Sequence, residues 1–168
     1  MLLKSYSKIN LSLNVNYKSK TGLHEIQSYY CWIDLFDKIK IKKIKRYNDR
    51  IVFSGPFAGF VNKKDNSVYK LLINLRKNNL INNHYSIEII KNIPVFSGLG
   101  GGTSNAVFIL KHLLKNKINK SLLNKFERII GSDFKIFFKK QGFVKNLQKI
   151  IELKKKHKFY FVLIQPKI

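Results

Sequence analysis

A cluster of glycines at residues 98–102 constrains this chain more than any other feature of its sequence. Pro94 leads into Val-Phe-Ser-Gly-Leu-Gly-Gly-Gly-Thr-Ser-Asn-Ala106, with a strand pattern before it and helical spacing after it. Glycine has no Cβ, so its backbone reaches positive φ values and successive N–H groups can turn toward one anion. The start of a helix adds about half a positive charge. The order strand, glycine loop, helix therefore predicts a phosphate-binding loop.

The loop follows neither of the two most familiar nucleotide-binding motifs. No lysine precedes Thr103, as Walker A requires, and Thr103 takes the place of the third glycine in the dinucleotide fingerprint. Thr103 and Ser104 can cap the helix or donate to phosphate oxygens. A flexible turn is the simpler interpretation, but glycines this dense beside hydroxyl residues at a helix start favour phosphate binding.

Apolar periodicity predicts a mixed α+β fold in one compact unit. Alternating apolar residues predict strands at residues 11–15, 38–42 and 85–89, and a continuous apolar run predicts a buried strand at 159–164. Helical spacing predicts helices over residues 68–75, 106–114 and 122–130. Asp65, Asn66 and Ser67 are the candidate caps of the first helix, and Gly131 can end the third. Lysines alternating with Ile39 and Ile41 indicate a solvated or edge face.

The formal charge of +24 raises polyanion binding as a second class of function. The excess is almost entirely lysine, whereas nucleic-acid readers favour the bidentate fork of arginine. Lys, Ile, Asn and Phe share A/T-rich codons, so drift of genome composition explains the charge better than a nucleic-acid partner. Nucleic-acid binding remains the less favoured alternative.

The chain is expected to work in the cytoplasm. Its single cysteine, Cys31, excludes an internal disulfide and any cysteine-rich metal site. No apolar run approaches the roughly 18 residues of a membrane span. The first residues lack the pattern of a signal peptide, so no membrane partner is predicted.

Three blocks of sequence resemble the GHMP kinases in order and spacing. The first is Ser-Lys-Ile-Asn-Leu at 7–11 with Gly-Leu-His-Glu-Ile-Gln-Ser at 22–28, the second is the glycine loop, and the third is Gly-Ser-Asp at 131–133. The resemblance implies a two-layer α+β amino-terminal ATP-binding domain over residues 1–153. Residues 154–168 would begin a second domain that is largely missing. This fold is shared with a ribosomal protein and a translocase family.

The resemblance also implies the roles of individual residues. Asp133 would be the base that takes the substrate hydroxyl proton, and Lys8 would steady Asp133 and the developing charge. His24 would hydrogen-bond the cytosine ring of a cytidyl-methylerythritol diphosphate, the substrate of one branch of the family in the non-mevalonate isoprenoid pathway. ATP and Mg²⁺ are the implied cofactors, and the metal ligands stay unassigned. The resemblance implies that the loop residues bind ATP; these are Pro94, Val95, Phe96, Ser97, Gly98, Leu99, Gly100, Gly101, Gly102, Thr103 and Ser104.

Several positions depart from the family pattern. Leu23 stands where a tyrosine stacks on cytosine, Phe96 where a loop glycine is usual, and Lys135 where a proline is usual. The third glycine-rich motif of the family has no counterpart before Ile168. A catalytically inactive nucleotide-binding module is therefore a second hypothesis beside an active kinase. A homodimer would be one way to cover apolar surface left by the missing half.

Overall fold

A single mixed sheet forms the body of the protein. The computed structural model describes residues 2–18, 24–115, 117–145 and 149–165, with the backbone alone at 16–18 and 24–25. Within these ranges seven strands form one sheet: β1 (Leu2–Asn10), β2 (Asn14–Lys18), β3 (His24–Ile44), β4 (Arg50–Ser54), β5 (His84–Ile90), β6 (Gln141–Lys145) and β7 (Lys149–Glu152).

Strand β3 is the central strand of the sheet. It is 21 residues long, where roughly five or six is usual, so it pairs with four other strands. β1 and β2 run along one edge of β3, and β5 and β6 run along the other. β7 lies outside β6, and β4 lies outside β5 in the one parallel pairing of the described sheet.

Three α-helices in the described part of the chain form the second layer: α1 (Ser67–Lys77), α2 (Gly101–Leu114) and α3 (Lys120–Ile130). Short 3-10 helices occupy Ala58–Phe60 and Phe134–Phe138. The Asn66 side chain caps α1 by accepting from the amides of Val68 and Tyr69, and Gly131 ends α3. The three helices confirm the prediction from apolar spacing. Helix α2, however, begins at Gly101, so Thr103 and Ser104 lie inside its first turn and do not cap it. None of the described helices is both long and apolar enough to cross a membrane.

The main hydrophobic core lies between the sheet and the helices. The apolar residues that give α1 its helical spacing are all buried, as are Ile39, Ile87 and Ile89 of the sheet; those of α1 are Val68, Leu71, Leu72 and Leu75. Lys38, Lys40 and Lys42 are exposed on the opposite face. Their strand is central rather than at an edge, so the solvated-face interpretation is the correct one. The two-layer α+β fold predicted from the sequence is confirmed.

Two strand predictions differ from the structure: the strand predicted at 11–15 begins only at Asn14, and the one at 159–164 is wrong. Residues 11–13 form a bend between β1 and β2, because the Leu11 amide donates to the Tyr29 carbonyl and the Ser28 hydroxyl donates to the Ser12 carbonyl. Residues 159–164 form neither a strand nor part of the core, and Val162 is 88% exposed. Within the described ranges this run pairs with no strand, and its apolar side chains are all at least 37% exposed.

A buried ion pair joins the sheet to the loop that follows β5. Lys91 donates to the Asp37 carboxylate, and the two side chains are 4% and 0% exposed. The amides of Asn92 and Ile93 donate to the other carboxylate oxygen at 2.7 and 2.9 Å. Asp37 therefore holds the backbone that leads into the glycine loop.

The same carboxylate reaches helix α2 and strand β1. Asn105 on α2 donates to Asp37 at 2.9 Å and to the Ser5 hydroxyl at 3.0 Å. Ser5 shares a hydrogen bond of 2.8 Å with Ser104, whose hydroxyl donates to the Tyr6 carbonyl at 2.6 Å. This polar network fixes the start of α2 against β1 and β3, beneath the glycine loop.

Removal of the lysine from this network should destabilise the fold. We expect Lys91→Met to lower the free energy of unfolding by about 3–5 kcal/mol, because a fully buried carboxylate then loses its countercharge. Lys38→Met, an exposed change near Asp37, should stay within about 0.5 kcal/mol. Urea unfolding at pH 7 measures both. A loss below about 1 kcal/mol for Lys91→Met would mean that the two backbone amides alone suffice to hold Asp37.

Candidate nucleotide site and catalytic pair

A cavity of about 460 Å³ opens where the first turns of α1 and α2 face each other. Its walls come from residues between 53 and 68, from Lys91, from the glycine loop at 94–105, and from Asp133. The wall on the α1 side includes the apolar side chains of Phe53, Phe60, Val61 and Val68. One end of the cavity is thus apolar, and the other is built from glycine backbone.

The start of helix α2 is free to bind an anion. Its N-cap is Gly100, which has φ of 72° and no side chain to accept from the first turn. The first closing hydrogen bond of the helix runs from the Ser104 amide to the Gly100 carbonyl at 2.9 Å. The amides of Gly101, Gly102 and Thr103 therefore lack intrahelical partners and lie at the cavity. Such a helix start favours a phosphate group.

Gly100 is also a point of close packing. A Cβ at this position would lie 2.8 Å from Cζ of Phe137 and 3.5 Å from Cε of Lys8. The loop therefore touches both the strand that carries Lys8 and the 3-10 helix that follows Asp133. Only glycine can avoid this overlap and also adopt the positive φ.

Lys8 and Asp133 form an ion pair beside the loop. Lys8 Nζ lies 3.2 Å from Asp133 Oδ2, with the lysine side chain 9% exposed and the carboxylate 34% exposed. Lys8 also donates to the Asn10 side chain at 3.0 Å, and its amide donates to the Leu99 carbonyl at 3.0 Å. The structure thus brings the two predicted catalytic residues together and leaves the carboxylate open to the cavity.

The loop residues predicted to bind ATP all line the cavity except Leu99 and Ser104. Leu99 instead presents its carbonyl to Lys8. The Ser104 hydroxyl points to β1, where it is bonded to Tyr6 and Ser5. It is fully buried, so a direct hydrogen bond from Ser104 to a phosphate has no support in the structure.

Phe96 has an unusual backbone for its residue type. Its φ is 63°, in the left-handed region that favours glycine, and its side chain is 94% exposed. The side chain thus projects from the cavity mouth without filling the loop. His24 begins β3, but its side chain lies outside the described part of the chain, as does Leu23 altogether. The substrate-binding role of His24 stays a prediction.

Sequence reasoning missed the second wall of the cavity. Asn66 and Ser67 appear in the sequence only as helix caps, yet Ser67 Oγ lies 3.5 Å from where a Cβ of Gly102 would be. Phe53, Phe60 and Val61 belong to no motif, and their position depends on the pairing of β4 with β5. The cap signal at Asn66 was the available hint that a second helix start lies near the loop.

Lys111 links helix α2 to the 3-10 helix that follows Asp133. Its ammonium donates to the Phe137 carbonyl at 2.6 Å and lies about 5 Å from the ring centroids of Trp32, Phe108 and Phe138. Burial, followed by the charge of Lys139, lowers the pKa of Lys111 from 10.5 to about 8. This contact holds the glycine-loop helix and the Asp133 segment in one unit.

Comparison with known proteins agrees with this geometry. Residues 66–135 match the family described as GHMP kinases N terminal domain. The crystal structure of 4-(cytidine 5'-diphospho)-2C-methyl-D-erythritol kinase superposes with a TM-score of 0.67 over 91% of this chain and 55% of that one, at 22% identity. The chain therefore carries the N-terminal domain of a GHMP kinase.

Within that class, the curated relatives point to one enzyme. The 4-diphosphocytidyl-2-C-methyl-D-erythritol kinase of Pelagibacter ubique is 37% identical over 98% of this chain and 59% of its own length. The enzyme of the same name from Finegoldia magna is 33% identical over 84% of the chain and 51% of its own length. The chain is a partial-length homologue of 4-diphosphocytidyl-2-C-methyl-D-erythritol kinase, as its sequence blocks predicted, and spans little more than half of these relatives.

Two glycines in the loop allow a matched test of its packing. Gly98 and Gly100 both have positive φ, but a Cβ at Gly98 meets nothing within 4 Å. We expect Gly98→Ala to cost about 1–2 kcal/mol from backbone strain. Gly100→Ala should cost about 1–3 kcal/mol more, because its methyl group overlaps Phe137. If chemical denaturation gave the two variants equal losses in the free energy of unfolding, the close contact at Gly100 would be contradicted.

Lys111 should make stability depend on alkaline pH. Its pKa of about 8 in the folded protein is below its value of 10.5 in the unfolded chain. Between these values the unfolded chain binds more protons, so unfolding becomes less favourable as the pH rises from about 8. Relative to Lys111→Met, the native protein should therefore gain stability between pH 7.5 and pH 9.5, measured by urea unfolding. A relative loss over that interval would contradict the lowered pKa.

Proposed function

We propose that this chain transfers the γ-phosphoryl group of ATP to the 2-hydroxyl of 4-diphosphocytidyl-2-C-methyl-D-erythritol, a step in non-mevalonate isoprenoid synthesis. The observation that carries the proposal is the Lys8–Asp133 ion pair, which lies beside an uncapped helix start and a glycine loop. A base, a cation and an anion cradle within one site are what phosphoryl transfer to an alcohol requires. The homology to enzymes of that name supports the substrate.

The cavity suits a nucleotide in one orientation. The triphosphate would lie against the free amides at the start of α2, where the helix dipole favours negative charge. The adenine would lie against the apolar wall formed by Phe53, Phe60, Val61 and Val68. Glycine backbone at one end and apolar side chains at the other therefore fit a molecule with an anionic tail and an aromatic head.

Asp133 is the base in this proposal. One oxygen of its carboxylate lies near Lys8, and the side chain is partly exposed at the cavity, where a substrate hydroxyl can approach. The carboxylate accepts the hydroxyl proton as the oxygen attacks the γ-phosphorus, and ADP leaves on the opposite side. Lys8 keeps the carboxylate oriented and offsets the negative charge that develops on the transferring group.

The donor groups at the cavity are compatible with Mg²⁺ bound together with ATP. No group of three His, Cys, Asp or Glu side chains in the described part could hold a metal alone. Asp65 and Asp133 are the carboxylates that line the cavity. Mg²⁺ usually binds through one or two carboxylates and the substrate phosphates, so Asp65 would be the carboxylate that holds it while Asp133 serves as the base. When bound, the ion would neutralise charge on the phosphates.

The remaining parts of the proposal come from homology. His24 would recognise the cytosine of the substrate, and the reaction would take place in the cytoplasm, where ATP is available. Residues 1–153 would be the ATP-binding domain and residues 154–168 the beginning of a second one. Binding of ATP without turnover is the alternative function, and the experiment below separates the two.

The direct test uses the chain with Mg-ATP and 4-diphosphocytidyl-2-C-methyl-D-erythritol. Phosphorus NMR should show a new phosphomonoester with the native protein. Asp133→Asn should lower the rate by about 10²–10⁴-fold, because the amide cannot accept the hydroxyl proton. Mg-ATP should still raise the Tm of this variant, since the cradle is intact. Glu88→Gln, an exposed change on the far face of the sheet, is the control and should keep the native rate.

The outcomes are distinct. A rise in Tm with Mg-ATP but no product from folded native protein would leave nucleotide binding as the function. Product formed equally by Asp133→Asn would remove Asp133 from the mechanism. No change in Tm at high Mg-ATP would argue against both functions, because a ligand that binds the native state must stabilise it.

A further inference from the structure

The segment that carries Asp133 is a short bend with few internal supports. It connects the end of α3 at Ile130 to the 3-10 helix that begins at Phe134. Its backbone is closed by hydrogen bonds from the Gly131 amide to Glu127 and from the Phe134 amide to Gly131, each 3.0 Å long. A bend of this length needs side-chain contacts to hold one conformation.

An ion pair spans this bend from both sides. Lys135 Nζ lies 2.6 Å from Glu127 Oε2, four residues before the bend and two residues after Asp133. The side chains are 16% and 19% exposed, so solvent and salt screen this contact much less than a surface pair. The other oxygen, Glu127 Oε1, is buried and has no hydrogen-bond partner in the described part of the chain. Glu127 therefore depends on Lys135 for its charge to be tolerated there.

The 3-10 helix contains a natural comparison. Lys139, at its C-cap, pairs with Glu152 at the same distance of 2.6 Å, but those side chains are 49% and 42% exposed. An exposed pair contributes little, because water and salt screen it and two long side chains lose freedom. The two pairs thus share residue types and distance but differ in burial, in what they span, and in that Glu152 has a second partner, Lys156, at 2.9 Å.

We propose that Lys135 and Glu127 are positioning residues that clamp the Asp133 bend to helix α3. The clamp sets the distance between the Asp133 carboxylate and Lys8, and with it the direction in which the carboxylate faces the cavity. A shift of about 1 Å at a reacting group lowers a rate on the order of 100-fold, so a modest loosening is enough to matter. The kinetic consequence rests on the proposed kinase function, whereas the clamp itself does not.

The first measurement is amide hydrogen exchange of the full chain. Lys135→Met should speed exchange at the Phe134 and Ile136 amides roughly tenfold, the loss expected when one hydrogen-bonded charge contact is removed. The Leu80 amide, which donates to Leu75 at 2.9 Å in another part of the fold, is the reference and should change less. Lys139→Met should leave all three amides within about twofold, as expected for an exposed pair.

The second measurement is kinetic and includes a rescue. Lys135→Met should lower kcat about tenfold with little change in KM for ATP, because the phosphate cradle is untouched. Lys135→Arg retains the charge and should restore most of kcat. Glu127→Gln should reproduce the loss, and the double variant Lys135→Met/Glu127→Gln should lose no more than either single one.

The two measurements separate the clamp from the enzyme activity. Unchanged exchange at Phe134 and Ile136 in Lys135→Met would overturn the clamp, whatever the kinetics. Faster exchange at Leu80 as well, to the same degree, would overturn it in favour of general destabilisation. If the native chain gives no product, the proposed function fails, and the exchange pattern still shows whether the Lys135–Glu127 pair holds the Asp133 bend.

Discussion

The buried ion pair between Asp37 and Lys91 is the contact on which the rest of the site depends. A carboxylate with no exposure to solvent is tolerated only when its charge is met by a cation and by hydrogen bonds. At Asp37 those partners come from the loop after β5 and from Asn105 on helix α2. The satisfaction of one buried charge therefore sets the place of the glycine loop relative to the sheet. Ser5 extends the same network to β1, the strand that also carries Lys8.

Lys8 and Asp133, the proposed catalytic pair, meet at the junction of two separately supported parts of the fold. Lys8 belongs to the sheet; its ammonium donates to Asn10 on the same strand, and its amide donates to the Leu99 carbonyl of the glycine loop. Asp133 belongs to a bend between helices, which is held by the Lys135–Glu127 pair and by the bond from Lys111 to the 3-10 helix. Because Gly100 packs between Lys8 and Phe137, the phosphate cradle lies at that junction. Ion pairs and hydrogen bonds suit the positioning of these two residues, because they are directional and fix orientation as well as distance.

The sequence predicted local elements well where local chemistry decides them. The Asn66 cap, the apolar spacing of α1 and the end of α3 at Gly131 are all as expected. The errors share one cause. Alternation or apolar content tells which residues share a face of a strand, but not whether another strand or layer meets that face. The exposed run at 159–164 and the bend at 11–13 differ from the prediction for this reason.

The sequence by itself determined the fold class and the glycine loop with its helix, and through resemblance it predicted roles for Lys8 and Asp133. Each of these depends on residues close together in the chain or on sequence blocks that follow the order known from the family. Only the tertiary structure decided that Lys8 and Asp133 meet, that the Ser104 hydroxyl turns inward, and that the start of α1 forms the opposite wall. Those facts depend on the register of β1 against β3 and on helix packing, which join residues far apart in sequence and have no local signature.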